Sequence, residues 1–448
     1  MTRTHLLSLV AAALFAAMPL PAGAAEPATI SLDEALKQLD SQSYTLAQAR
    51  ARTDEAKSVV RQAMSGFLPT AGVGVSYVRN NDSAILSFNP LFDAIEGAVP
   101  IKIDRSKAPK EQVIQPLEAF TGSASIRVPL FAATPFLDWK AAKEATGVSE
   151  ASLESVRLQL RAAVIQSAWW SGAAEEIAAA SERALAIAQE HEKSAARNVE
   201  AGIAAPLSKL QAQTEVVRRE SDVARTRADR ERAWLAMGVL LGKSEPVRVA
   251  IAASPESKPV DPDAQIKDAL GRRPEIRSYE ASIRAGELQH DSALWRHAPQ
   301  LSIGFSALIS DVPFVTGENY AWKASADLTW TLYDGGFRYG KRDQAQAQIA
   351  TAKAALEAQK VEIGQQVRDA TRDVAVAEER LRLATRQKEL AQEMYGTAKR
   401  SFDAGLASSL DVLDANDKLY QADVGLADAR ARLGMAKVAL ERATGSLL

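Results

Sequence analysis

The sequence predicts an α+β membrane protein built from two tandem structural repeats, each joining a pair of strands with one apolar face to very long helices. Three observations lead there. Apolar and polar residues alternate strictly in four separate segments. Proline is absent between Pro135 and Pro206 and again after Pro313. The second half of the chain repeats the order and several motifs of the first.

Repetition organises the rest. Leu32-Asp33-Glu34-Ala35-Leu36 answers Ile266-Lys267-Asp268-Ala269-Leu270, and Phe67-Leu68-Pro69 answers His297-Ala298-Pro299. Ala201-Gly202-Ile203-Ala204 answers Ala404-Gly405-Leu406-Ala407, and both copies end on a glycine, Gly242 and Gly445. The expected organisation is a first repeat over 30–242, a proline-rich linker over 243–263 and a second repeat over 264–448. Residues 1–24 precede these as a cleavable signal peptide, with Arg3, an apolar run from Leu6 to Met18, and the small triplet Ala22-Gly23-Ala24. That run is too short to span ~30 Å of hydrocarbon, and no later stretch is long and apolar enough to do so.

The long proline-free stretches favour helix, since proline in a helix interior costs ~3 kcal/mol. An unbroken helix from Phe136 to Val199 would run on the order of 95 Å at 1.5 Å per residue, so such helices must pack side by side. In the last helix Val412, Leu419, Leu426, Leu433 and Leu440 recur every seven residues, each followed three positions later by alanine, from Ala415 to Ala443. A seven-residue repeat of large and small residues predicts close packing in a left-handed supercoil. The preceding helix carries one row from Ile349 through Ile363 to Ala398 and another from Val367 and Val374 to Phe402, interrupted by Lys388. These rows are expected to face partners on two sides, as in a closed ring of helices. Arg219 and Arg230 fall on seam positions of the first copy and weaken its pattern.

The strands have a period of two. Ala71, Val73, Val75 and Tyr77 oppose Gly72, Gly74 and Ser76, and Ala124, Ile126, Val128 and Leu130 oppose Ser123, Ser125, Arg127 and Pro129. In the second copy Leu301, Ile303, Phe305 and Ala307 oppose serine and glycine. Trp322, Ala324, Ala326, Leu328, Trp330 and Leu332 oppose Lys323, Ser325, Asp327 and Thr329. Without a membrane helix, a membrane protein must be a closed β-barrel. Four such strands cannot close one, since known barrels need ~8 or more, so the chain is expected to oligomerise. Trp322 and Trp330 are expected in the aromatic belts at the membrane interfaces. Residues 80–118 are expected to form an external loop.

Composition excludes other classes. With 54 basic and 56 acidic side chains, the net charge of −2 does not suit a nucleic-acid binder. The chain has no cysteine, which removes disulfides, thiolate metal sites, cysteine nucleophiles and lipidation through cysteine. Its four histidines are scattered, and no catalytic constellation, cofactor site or metal site is expected.

Signal peptide, tandem repeats and glycine turns together resemble the TolC family of outer-membrane efflux proteins. The most specific residues are Thr331-Leu332-Tyr333-Asp334-Gly335-Gly336 and the run from Ala404 to Ala415. The resemblance implies a homotrimer in which four strands per protomer make one transmembrane β-barrel, continued by a long periplasmic α-helical barrel. It implies an outer-membrane exit duct working with a periplasmic adaptor (membrane fusion) protein and an inner-membrane transporter, without chemistry of its own. It places Asp411 and Asp414 at the channel constriction and the turns at Gly202 and Gly405 where the adaptor docks. The family's latch between an arginine, a tyrosine and an aspartate is not kept, because Ala407, Phe402 and Ser208 stand there. Asp411 and Asp414 also suit the positive end of the helix that follows the turn. The outer-membrane component of a type I protein secretion system, and a periplasmic coiled-coil scaffold without a pore, are the alternatives.

Overall fold

The computed structural model describes residue 27 and residues 29–104, 106, 111–251, 261–314 and 316–447. The expected signal peptide and residues 252–260 of the expected linker lie outside the described residues, while Arg248–Ala250 of that linker form a strand. The first half contains β1 (Thr29–Ser31), α1 (Leu32–Gln42), α2 (Tyr44–Ser65), β2 (Thr70–Arg79), β3 (Ala84–Ser87), α3 (Asn89–Ala98), β4 (Glu111–Gln115), β5 (Glu118–Phe131), α4 (Ala133–Glu200) and α5 (Pro206–Leu240). The second contains β6 (Arg248–Ala250), α6 (Pro262–Arg272), α7 (Pro274–Trp295), β7 (Gln300–Ser310), β8 (Tyr320–Thr329), α8 (Phe337–Asp403) and α9 (Ser409–Thr444). Two short helices, two strands, a helix of 68 or 67 residues and a helix of 35 or 36 thus succeed one another twice. The chain forms two compact units.

One unit comprises 1–49, 153–274 and 360–448. Its core gathers Ala35, Leu39, Leu46, Val164, Ala168, Met237, Leu241, Val247 and Val249 around the parallel pairing of β1 with β6. On α9 the expected seam is buried at Val412, Ala415, Ala422, Leu426, Ala429 and Ala443. On α8 the two rows prove to be one seam. Ile363, Val367, Ala370, Val374 and Ala377 alternate at spacings of four and three residues, which is the two-position stripe of a single helix face, and all five are buried. The expectation of partners on two sides therefore does not follow from these rows. A third, exposed row does lie elsewhere on α8, at Val376, Leu383 and Leu390, again seven residues apart. Lys388 remains on the seam because its ammonium reaches Asp423 of α9 at 2.8 Å, and Arg183 of α4 meets the same carboxylate at 3.1 Å.

The other unit comprises 50–152 and 275–359. It holds a four-stranded antiparallel sheet in the order β2-β5-β7-β8. The register aligns Val73 with Ala124, Ala124 with Ala307 and Ala307 with Trp322. One row over, Ala71, Ile126, Phe305 and Ala324 are likewise aligned. The apolar residues of all four strands therefore share one face. Gly72, Ser125, Ser306 and Lys323 line up on the other. Val73 is 90% exposed and Val75 72%, so the apolar face lies uncovered in the single chain.

Two strand expectations are corrected. A register shift between Pro129 and Phe131 breaks the alternation at the end of β5, as a bulge does where a proline withholds its donor. β8 stops at Thr329, before Trp330 and Leu332, whose alternation continues without a partner strand; the Trp330 indole N–H donates instead to the His297 carbonyl at 3.0 Å. The segment between β2 and β5 is more than a loop. It contains α3 and the β3–β4 hairpin, with Pro90 in the first turn of α3.

Seam packing is very close where Gly434 of α9 faces Trp169 of α4. A Cβ at Gly434 would sit 2.2 Å from the indole ring. Gly434→Ala should therefore lower the thermal midpoint of the purified protein, by an amount equivalent to about 1–3 kcal/mol of overpacking. An unchanged midpoint would mean that Trp169 does not occupy that place.

Candidate functional site

The two turns that join the long helices have the same backbone geometry. At the first, Ile203 and Ala204 donate to the Asn198 carbonyl at 2.9 and 3.1 Å; at the second, Leu406 and Ala407 donate to the Ser401 carbonyl at 2.8 and 3.2 Å. Gly202 and Gly405 carry φ of 70° and 75°, the left-handed conformation that ends a helix and that only glycine adopts without strain. No atom lies within 4 Å of where a Cβ would stand at either residue, so conformation and not crowding selects glycine. Beside these turns Ile203, Leu207, Leu406 and Leu410 are exposed, Leu406 by 84%.

The helices after the turns start differently. α5 has Pro206 in its first turn and no side-chain cap. α9 has a full capping box: the Asp411 amide donates to Ser408 Oγ at 3.3 Å, while the Asp411 carboxylate accepts from the Ser408 amide at 2.7 Å and its hydroxyl at 2.8 Å. The Ser408 hydroxyl, followed by its amide, holds the Asp411 carboxyl below the usual carboxylate range. Asp414 sits one turn further on and pairs with Lys418 at 2.7 Å. Both side chains are exposed. Asp411 is thus committed to the helix start, whereas an exposed i,i+4 pair of ~0.3–0.5 kcal/mol leaves Asp414 easily freed.

Behind the turns lies a cluster that the sequence pattern registered only as an irregularity. Arg219 of α5 is 0% exposed. It donates to Glu215 at 2.7 Å, to Asp222 at 3.3 Å and to Asp417 of α9 at 2.6 Å, and its guanidinium lies 4.9 Å from the centre of the Tyr420 ring. Burial opposes the charge, but Asp417 and Glu215 outweigh it and raise the guanidinium pKa above its ordinary value. Arg218 also reaches Asp417, at 2.5 Å. The signal was present in the sequence as a charged residue on a seam position; its partner, nearly 200 positions away, was not.

A second polar link joins the same helix pairs. His191 of α4 places Nε2 2.8 Å from Ser409 Oγ, at the start of α9, and its ring meets Phe402 of α8 edge to face at 4.9 Å. The predicted aromatic pair lies in the other unit, on and just beyond β8. Trp322 is exposed and stacks on Phe305 at 6.3 Å, while Trp330 lies eight positions on. No described helix is long and apolar enough to cross a membrane.

Comparison with known proteins supplies the context. The family model described as outer membrane efflux protein matches residues 35–243 and 265–446. Over 255 residues the chain is 26% identical to outer membrane protein OprJ of Pseudomonas aeruginosa, covering 55% of this chain and 52% of that protein, so the match spans about half of OprJ. Among solved structures, a membrane protein from Pseudomonas aeruginosa is similar with a TM-score of 0.74 at 18% identity, over 92% of this chain and 90% of that one. The outer membrane protein VceC from Vibrio cholerae is similar with a TM-score of 0.72 at 17% identity, over 92% and 96%. These likenesses establish the fold.

The Arg219 cluster yields a stability prediction. Arg219→Met would remove the buried cation that Glu215, Asp222 and Asp417 share, leaving only the exposed Arg218 and Arg225 in reach of them. Removing one member of a buried charge cluster costs about 3–5 kcal/mol, which should appear as a lower denaturant midpoint. A midpoint equal to that of the parent would show that the cluster is not formed.

Proposed function

The chain belongs to the outer membrane efflux protein family, and from that premise we propose that it is the exit duct of a tripartite efflux system. It would conduct substrates passively from an inner-membrane transporter and a periplasmic adaptor to the outside of a Gram-negative cell. One observation carries this reading. The sheet β2-β5-β7-β8 presents a continuous apolar face and a face of glycine, serine and scattered charge, and among the described residues its outer strands β2 and β8 are paired on one side only. Three such sheets make a twelve-stranded barrel with lipid outside and water inside, in which every edge is paired. A periplasmic scaffold would have no use for an uncovered apolar sheet.

Other features fit a homotrimer. Trp322 and Trp330 are eight residues apart, about 26 Å along an extended chain and roughly 20 Å in height at the ~40° tilt of a barrel strand, so they suit the two rims of the apolar band. The exposed row Val376, Leu383 and Leu390 on α8 suits a helix of the neighbouring protomer in an α-helical barrel. The two repeats, 30–242 and 264–448, would then be pseudo-equivalent around the channel axis. The exposed aliphatic residues around Gly202 and Gly405 suit docking of the adaptor. Asp411 and Asp414 would line the constriction, six carboxylates in the trimer, attracting cations and opposing anions. Because Asp411 also caps α9, its charge is fixed in place, while Lys418 offsets Asp414 until a passing cation competes for it.

In planar bilayers the purified oligomer should give discrete, cation-selective channels. Asp411→Asn combined with Asp414→Asn should lower the cation-to-anion permeability ratio several-fold. An unchanged ratio would remove both residues from the constriction, and a protein that needs no detergent would remove the barrel.

A further inference from the structure

Among the buried polar links that tie the α4–α5 pair to the α8–α9 pair behind their turns, two respond differently to acid. The Arg219–Asp417 link joins α5 to α9 through a guanidinium that stays charged at any physiological pH. The His191 link is the reverse, a group that is neutral in its docked form and becomes charged in mild acid. His191 is 7% exposed, and the two residues it touches, Ser409 and Phe402, are buried with it. Resting on the channel reading, we infer that His191 is an acid-release pin: protonation loosens the α8–α9 turn from α4 and favours opening of the periplasmic entrance.

The physical reason is desolvation. A neutral imidazole can share one hydrogen bond with Ser409 and lie against the Phe402 ring without loss. An imidazolium there has one hydroxyl and one aromatic ring in contact and little access to water, with only the attraction of Asp403 to offset the loss. The charged groups around it determine the balance. On α4 it is flanked by Glu190 and Glu192, with Lys193 beyond, and Glu190 is engaged by Lys399 of α8 at 2.8 Å. From α8 come Lys399, Tyr395 and Asp403; on α9, Asp411 two residues past Ser409 is engaged by Ser408. Burial lowers the His191 pKa, and attraction from Asp403 opposes this without overcoming it. A released histidine titrates near 6.5, so docking is fully stable above that pH. It weakens as pH falls from there to the lower pKa of the docked form, and changes no further below it.

Hydrogen exchange on the intact protein tests this, followed across residues 398–412 and corrected for the intrinsic pH dependence of exchange. In the parent, exchange there should rise several-fold between pH 7.5 and pH 5 while residues 427–440 stay unchanged. His191→Gln, which keeps a hydrogen-bonding group for Ser409 and cannot titrate, should abolish the rise. His191→Arg, permanently charged, should show fast exchange at both pH values. An equal rise in His191→Gln, no rise in the parent, or continued protection in His191→Arg would each overturn the inference. Bilayer recordings of the same proteins complete the test. Open probability should rise with acid in the parent and not in His191→Gln; loosening by exchange with an unaltered open probability would overturn the gating role. Absence of conductance in every variant at every pH, with the exchange result intact, would instead count against the channel reading.

Discussion

The constraint on which the rest depends is the pairing of backbone groups at the two edges of the four-stranded sheet. β2 and β8 each offer a row of N–H and C=O groups with no neighbouring strand among the described residues. In hydrocarbon each such group left unpaired costs several kcal/mol, and only closure into a barrel satisfies all of them. Four strands are too few to curl upon themselves, so closure must come from other copies. Oligomerisation is thus demanded by the sheet before any helix contact is considered. Its register, which brings every apolar residue to one face, makes the same demand through lipid.

The long helices meet a second demand, that of packing without a thick core. Alanine at every other seam position lets α9 approach its neighbours closely, and Gly434 against Trp169 leaves no room for even a methyl group. Such seams are tight but uniform, and a uniform seam specifies register weakly. Polar groups on the seams supply what alanine cannot. Arg219 on Asp417, Lys388 on Asp423, and His191 on Ser409 each reach a set partner on a facing helix. A slip of one turn would strand a charge, which fixes the register as a polar residue on a coiled-coil seam does. The same property makes these links the points at which the hairpins can be separated.

Much of this was legible in the sequence because period and repetition are one-dimensional signals. The alternation of Leu301, Ile303 and Phe305, the heptads from Val412 to Leu440 and the paired glycine turns all lie within short windows. Features that depend on distant partners were not. Arg219 and Lys388 read as defects in a seam, because Asp417 and Asp423 are far away in sequence. The two apolar rows of α8 were assigned to two faces, although their alternating spacings of four and three mark one. Trp330 continued the alternation of β8 on paper, but a strand ends where its neighbour ends, and its indole is bonded to His297. At Asp411 the sequence showed a carboxylate suited to the positive end of a helix, and the structure added its capping box with Ser408; whether the same carboxylate also faces a channel is a property of the assembly.

The most direct test of the account is a cross-link across the edges that the sheet leaves open. Since the chain has no cysteine, single cysteines can be placed along β2 and along β8 and oxidised in pairs in the native membrane. The account predicts that matched pairs close into a covalent species of three chains, with no larger ladder, because three sheets complete the ring. Chains that remain monomeric for every pair, or that stop at two, would contradict it.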